Sequence, residues 1–495
     1  MKRGIAAILA ALLFGSLLSL TGAAFTDEKS IEADFRAAVK EMAERKILGG
    51  FTDGSFKPKQ TLTRAQAAKI LCVMLEGEEK ANALTKTETG FADVPATHWA
   101  ARFVAYCVDK NIVAGVGDGR FDPDGKLSSA AFAKMLLVAY GADASKMTGA
   151  DWIAGVKEAA KPTILAHNVK GFGTAALSRQ EAAQMAYNAL FYAESQAAKT
   201  QKDTSRELPT SVPESLKVLA IGNSFSNDCI LGYLWPMMKD VGVKALTIGN
   251  LYHGGCSLQM HTGYALEEKK AYRYYKRTDK DSKWNSPKDN TSTLDDPLKD
   301  EQWDAITFQH GQSRFGMEEY YQPDLDVLLY YVQRSQPKAI FGWNFVWAAP
   351  QGCTKTNVVQ YYGGDQMKMY NMSVAATKNK ILTEPRIKFV LPVGTAIQNA
   401  RTSFLGDHLD RDGYHLNKGI GRYIASMTWC CMLTGASPDQ VKYLPEALLD
   451  YLPEGLNKDT PGMLDKLGEI ARESVKNALA KPYEITQSQL TTALK

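Results

Sequence analysis

Lys217-Val218-Leu219-Ala220-Ile221-Gly222-Asn223-Ser224-Phe225-Ser226 is the stretch on which the reading of this chain turns. Val218 to Ile221 run apolar without alternation, the mark of a strand buried on both faces in a parallel sheet. Gly-Asn-Ser then carries a hydroxyl to the sheet edge where α/β proteins keep their ligand-binding loops. Residues 227–241 read as a helix, so Ser224 falls near a helix N-terminus, where free backbone N–H groups can hold an oxyanion. Far downstream, Asp412-Gly413-Tyr414-His415 sets a carboxylate three residues before a histidine. Hydroxyl, imidazole and carboxylate are the parts of nucleophilic catalysis.

Around that run, strands alternate with helices. Residues 216–222, 245–252, 303–310, 339–347 and 387–394 read as strands. Helical stretches follow at 227–241, 324–333, from about 365, and 417–433. The pattern predicts a three-layer α/β domain with a parallel sheet covered on both faces. Ser224, Gly254-Gly255, Gln309–Ser313 and Asp412/His415 then all occupy loops at the carboxyl ends of strands.

Upstream, the sequence repeats itself. Gly50-Phe51-Thr52-Asp53-Gly54-Ser55-Phe56-Lys57-Pro58 recurs as Gly115-Val116-Gly117-Asp118-Gly119-Arg120-Phe121-Asp122-Pro123. A helix start follows each: Leu62-Thr63-Arg64-Ala65-Gln66 and Leu127-Ser128-Ser129-Ala130-Ala131. A third, shorter copy keeps only Leu177-Ser178-Arg179-Gln180-Glu181. Thr63, Ser128 and Ser178 are N-cap residues. Each unit is too small to bury its own apolar face, so the three are expected to pack together as an all-α module. Copies at about 25–80, 91–142 and 147–193 leave a polar linker at 194–215, an α/β domain at 216–450 and a helical extension at 451–495.

A chain of 495 residues exceeds what one core serves, so two or three domains are expected. At 45% hydrophobic and 23% charged residues it excludes general disorder. A net charge of +4 gives no ground for nucleic-acid binding. The seven cysteines are odd in number and lack metal-ligand spacing, so neither a complete disulfide framework nor a metal or cofactor is expected. Lys2-Arg3, the apolar run from Ile5 to Leu20, and Thr21-Gly22-Ala23-Ala24 have the form of a secretory signal peptide at 1–24. The run is shorter than the ~20 residues of a membrane span. After cleavage, no span is expected.

The repeats resemble the S-layer homology (SLH) domain, three copies of which form one cell-wall-binding module. The match rests on Phe91-Ala92-Asp93-Val94 with His98-Trp99-Ala100, the two Asp-Gly-x-Phe-x-Pro turns, and Thr63-Arg64-Ala65-Gln66. The resemblance implies that Arg64 and Arg179, with Trp99, bind anionic secondary cell-wall polysaccharide. The second copy has Ser129 in place of the arginine, which weakens its groove. A location outside the cell, on the bacterial cell wall, follows as an expectation.

The α/β region resembles the SGNH (GDSL-like) hydrolases, a flavodoxin-like fold. Gly222-Asn223-Ser224-Phe225-Ser226 stands for the first block, with Asn223 in place of the usual Asp. His253-Gly254-Gly255-Cys256-Ser257 stands for the second and Asp412-Gly413-Tyr414-His415 for the last. The resemblance implies a serine esterase: Ser224 the nucleophile, His415 the base, Asp412 its orienter. The N–H groups of Ser224 and Gly255 would hold the oxyanion. The third block departs from Gly-x-Asn-Asp, reading Gln309-His310-Gly311-Gln312. Gln309, or alternatively Gln312, is therefore expected as third donor. His408, His310 and His253 rank as loop residues. Trp343 and Trp347 are weaker candidates for stacking on a sugar. The expected substrate is an ester-bearing glycan, in particular an O-acetyl group. The alternatives are a non-catalytic glycan-binding protein on the same fold, or a lipid or aryl esterase.

Overall fold

The computed structural model describes residues 25–201, 204–285, 287–311, 313–453 and 455–492. The signal peptide expected at 1–24 lies outside the described residues, as does Gln312. The chain divides into two compact units, one of residues up to 201 with 322–330, the other of 202–321 with 331 onward.

In the first unit, three helices start from the predicted caps: Arg64–Glu76, Ser129–Ala139 and Arg179–Ala198. Thr63 and Ser178 each close a capping box, with Gln66 and Glu181, and Ser128 accepts from the Ala131 N–H. The residues just before the caps tie the copies into a ring. Leu62 N donates to Leu177 O, Leu177 N to Leu127 O, and Leu127 N to Leu62 O, each at 2.8–2.9 Å. Leu62, Leu127 and Leu177 are buried, so three repeats share one core where none could build its own. The last helix runs to Ala198, into the stretch read as linker from 194.

The second unit is built on a six-stranded sheet in the order β3-β2-β1-β4-β5-β6. Its strands are β1 (Ser215–Gly222), β2 (Ala245–Tyr252), β3 (Arg273–Thr278), β4 (Ala305–Phe308), β5 (Ile340–Asn344) and β6 (Ile387–Leu391). All neighbours are parallel except β3, which runs antiparallel on β2. β4 and β5 are buried at every position, as a sheet covered on both faces requires. Without β3 the order is that of doubly wound flavodoxin-like sheets, in agreement with the expected class. Sequence order reverses between β1 and β4, which opens a crevice at their carboxyl ends.

Several local expectations change. The helix expected over 227–241 is two, Ser224–Ile230 and Leu234–Asp240, with Gly232 between them. β3 went unread because its composition is polar and all six positions are half-buried. Its edge position, with one face partly wet, removes the apolar signal of a buried strand. The C-terminal helix Met463–Ala480 buries Leu467, Ile470, Ala471 and Val475 and packs on Val393–Arg401 and Ile420–Thr434, making it part of this unit's core. All seven cysteines are buried, unpaired thiols.

Candidate active site

Gly222 ends β1, and a Cβ there would stand 2.7 Å from Ser226 Oγ and 3.1 Å from Gln309 Cδ. Only glycine lets the first helical turn fold back so closely on β4. Asn223 caps that turn, its Oδ1 accepting from Phe225 N at 3.0 Å. Ser224 is thereby the first helical residue, with its side chain half-buried.

The Asp412–His415 loop meets Ser224 from the far end of the domain's sequence. His415 Nε2 lies 2.8 Å from Ser224 Oγ, and His415 Nδ1 lies 2.7 Å from Asp412 Oδ2. Asp412 Oδ1 also accepts from the backbone N–H of Tyr414 (3.1 Å) and His415 (2.9 Å). Partial burial pulls the Asp412 carboxyl upward, but the His415 N–H and imidazole and the Tyr414 N–H outweigh it, and the group sits below its ordinary value. An ionised carboxylate on Nδ1 fixes the tautomer that leaves Nε2 free to accept the serine proton.

Two devices missed at the sequence level hold this geometry. The first is Asp228, four residues after Ser224 and 1% exposed. It pairs with Arg411 (3.1 Å) and Arg422 (2.5 Å) and accepts from Leu416 N at 2.9 Å. Arg411 and Leu416 flank Asp412 and His415, so one buried carboxylate fastens both ends of the loop to the Ser224 helix. The i, i+4 spacing from Ser224 was a visible signal, but nothing linked it to residues nearly two hundred positions away. Gly413, at φ +81°, supplies the left-handed turn between them.

The second device is a chain of side-chain amides beneath the site. Trp429 Nε1 donates to Asn344 Oδ1 (3.2 Å), and Asn344 Nδ2 to Gln309 Oε1 (2.8 Å). Gln309 Nε2 donates to Asn223 Oδ1 (2.5 Å), and Asn223 Nδ2 to Cys256 O (3.0 Å) and His310 O (3.3 Å). All four side chains are buried. Trp429 is a donor only and the terminal carbonyls are acceptors only, so every amide in the chain has one permitted orientation.

That arrangement corrects the third-donor expectation for Gln309. Its amide, 2% exposed, is engaged at both ends within the core, and it braces Asn223. Asn223 in turn joins the Ser224 turn to the Gly255-Cys256 loop. Gly255, at φ +66°, has open space around it. Among the described residues, the N–H groups of Ser224 and Gly255 have no acceptor.

Trp343 and Trp347 are corrected as well. They are 2% and 1% exposed and offer no face for stacking on a sugar. Trp347 packs 4.7 Å from Phe225, whose ring lies 5.9 Å from His415, and its Nε1 donates to Tyr414 O at 2.6 Å. It supports the histidine from behind.

The other histidines stand apart from Ser224. His310 is buried between Gly311 N, which donates to its Nδ1 at 2.6 Å, and Tyr320 O, 3.2 Å from Nε2. Burial, with Arg314 adding to it, pushes its pKa down to about 4. His253 Nδ1 lies 2.6 Å from Ala271 O, and His408 is exposed.

In the helical unit, Arg64 donates from Nε to Phe121 O and from Nη2 to Ala114 O, both at 2.7 Å. Arg179 does the same to Phe56 O (2.8 Å) and Gly49 O (2.7 Å). Burial pulls the Arg179 guanidinium down to about 10. Ser129 takes the equivalent place in the second copy, 3.2 Å from Gly171 O. Trp99 is 53% exposed.

Comparison with known proteins agrees with this division. Residues 217–450 match the family model described as "Domain of unknown function (DUF4886)". Residues 24–68 and 90–133 match the S-layer homology domain, so two of the three copies are matched. Over 93 residues the chain is 36% identical to "Cell surface glycoprotein 1" of Acetivibrio thermocellus, covering 19% of this chain and 4% of that protein. Over 87 residues it is 37% identical to the "Cellulosome-anchoring protein" of the same organism, covering 18% and 19%. The chain thus spans less than a fifth of these relatives' lengths. A crystal structure of a DUF4886 family protein from Bacteroides uniformis is 34% identical, covering 56% of this chain and all of that one, with a TM-score of 0.49.

Proposed function

From a chain that belongs to the DUF4886 family through residues 217–450, behind S-layer homology domains, we propose a serine esterase held at the cell surface. The reading rests on one observation: the continuous line from Ser224 Oγ to His415 Nε2 (2.8 Å) and from His415 Nδ1 to Asp412 (2.7 Å). In it, Ser224 attacks an ester carbonyl while His415 takes its proton. The tetrahedral oxyanion is held by the N–H groups of Ser224 and Gly255. His415 returns the proton to the leaving alcohol, and a water, activated by the same imidazole, releases the acid. With Gln309 engaged in the core, Gln312 is the remaining candidate for a third donor, and one such donor is worth roughly two to three orders of magnitude in rate.

S-layer homology domains mark a cell-surface protein. On this reading their grooves at Arg64 and Arg179 bind cell-wall polysaccharide, and the ester lies on a glycan within reach, an O-acetyl group first of all. A fluorophosphonate probe tests the chemistry. It should add its mass to the peptide carrying Ser224 and to no other serine, and heat-denatured protein should not react. A native protein left unlabelled would favour the glycan-binding alternative.

A further inference from the structure

Beside Ser224, on the same face of the sheet, stands a group of hydrogen-bond donors with nothing to donate to. Gly222, Tyr252 and Arg273 form one row across β1, β2 and β3. Two strand spacings put Arg273 about 10 Å from the end of β1. Its guanidinium lies 5.9 Å from the centre of the Tyr252 ring, and Tyr252 Oη comes 3.3 Å from where a Cβ on Gly254 would be. The Arg273–Tyr252 pair therefore borders the Gly254-Gly255 loop.

Asn227 belongs to the same group. It is one turn after Ser224 on the same helix, and Asn250 reaches up from β2 to fix it. Asn250 Nδ2 donates to Asn227 Oδ1 at 2.5 Å, while Asn250 Oδ1 faces Ser226 Oγ at 3.1 Å. Asn227 Nδ2 is thereby turned away from the core. Asn227, Tyr252 and Arg273 are all half-buried.

None of these donors is spent. Arg273 has neither a carboxylate nor a carbonyl partner among the described residues, and its Nε is buried without one. Asn227 Nδ2 and Tyr252 Oη likewise have no acceptor there. The carboxylate of this face, Asp228, is already shared by Arg411 and Arg422. A partly desolvated guanidinium left unpaired is costly, and its fork fits an oxyanion in two parallel bonds.

Resting on the esterase reading, we infer that Asn227, Tyr252 and Arg273 form a subsite for an oxyanion on the substrate, so that the enzyme acts on an acidic sugar chain bearing carboxylate or phosphate. The anion sits to the β2–β3 side of the reacting ester. Arg273 supplies the charge and the fork, and Asn227 and Tyr252 supply single hydrogen bonds.

Calorimetric titration of the full chain carrying Ser224→Ala tests this without turnover. The probes are trigalacturonate, a glycerol phosphate trimer and neutral xylotriose. At least one anionic probe should bind about tenfold more tightly than xylotriose, and adding Arg273→Gln should remove that preference. The tighter of the two anions identifies carboxylate or phosphate as the source. Both variants also carry Arg64→Ala and Arg179→Ala, which removes the anion grooves proposed for the S-layer homology domains, so the difference reads Arg273 alone. Equal affinity for charged and neutral probes, or a preference that survives Arg273→Gln, overturns the subsite. If the glutamine variant melts early, Arg273→Lys serves instead: charge without the fork should lose several-fold in affinity, and full retention overturns the proposal. Absence of Ser224-dependent hydrolysis would remove the esterase reading and leave this comparison standing.

Discussion

Asn223 does more work in this site than its one position in the sequence announces. Its Oδ1 takes the Phe225 N–H and the Gln309 amide, and its Nδ2 serves two carbonyls from two other loops. A carboxylate of the same shape has no hydrogen to give. Asn223→Asp should therefore leave Cys256 O and His310 O facing a negative charge and cost about 2–4 kcal/mol in urea denaturation, with a fall in kcat. Asp228→Asn should be harsher. It leaves Arg411 and Arg422 without their buried counter-charge, for a loss of about 3–5 kcal/mol. The rate should drop with it, because the loop carrying His415 loses its anchor; unchanged stability and rate would show that Asp228 is not that anchor. Ser224, His415 and Asp412, which the structure brings into one line, could be picked out one residue at a time, since what each can do belongs to its side-chain type. Gln309 was misread for the same reason. An amide's type says it can donate, and only its neighbours Asn223 and Asn344 say to what.

Among the elements, the buried strands announced themselves and the wet edge strand did not. β2 was read to the residue and β1 to within one, because an apolar run without alternation has few other meanings. β3 carries no such run, and only its pairing with β2 reveals it. The helix Leu258–Leu266 and the loop after β4 have a further consequence, since they bury His261 and His310. Burial above all holds both low, His310 at about 4 and His261, with His253 and His310 near it, at about 3. In the unfolded chain such groups take up a proton near pH 6.5. Between that pH and about 4 the unfolded state binds more protons than the folded one, so stability must fall as pH falls. The slope should approach about 1.4 kcal/mol per pH unit for each histidine. Urea midpoints measured between pH 7 and pH 4 should decline on this account, and His310→Gln should flatten the decline. A midpoint constant across that range would mean the two imidazoles are not buried as neutral groups.

At the scale of the whole molecule, S-layer homology domains precede the DUF4886 domain for which an esterase function is proposed. The repeats declared themselves through turn, cap and spacing recurring together, a signal that survives in sequence because each copy solves the same packing problem. The closed ring through Leu62, Leu127 and Leu177 was not legible, because no single copy contains it. Binding and catalysis should separate by mutation. Arg64→Ala with Arg179→Ala should reduce sedimentation with purified cell wall severalfold and leave ester hydrolysis in solution intact. Retention of wall binding would remove these arginines from the grooves. Ser224 bears on the central claim more directly than any other residue. With p-nitrophenyl acetate as substrate, the full chain should show hydrolysis that Ser224→Ala lowers by about 10³-fold or more, with the variant folded as the parent. Equal rates in parent and variant would contradict it.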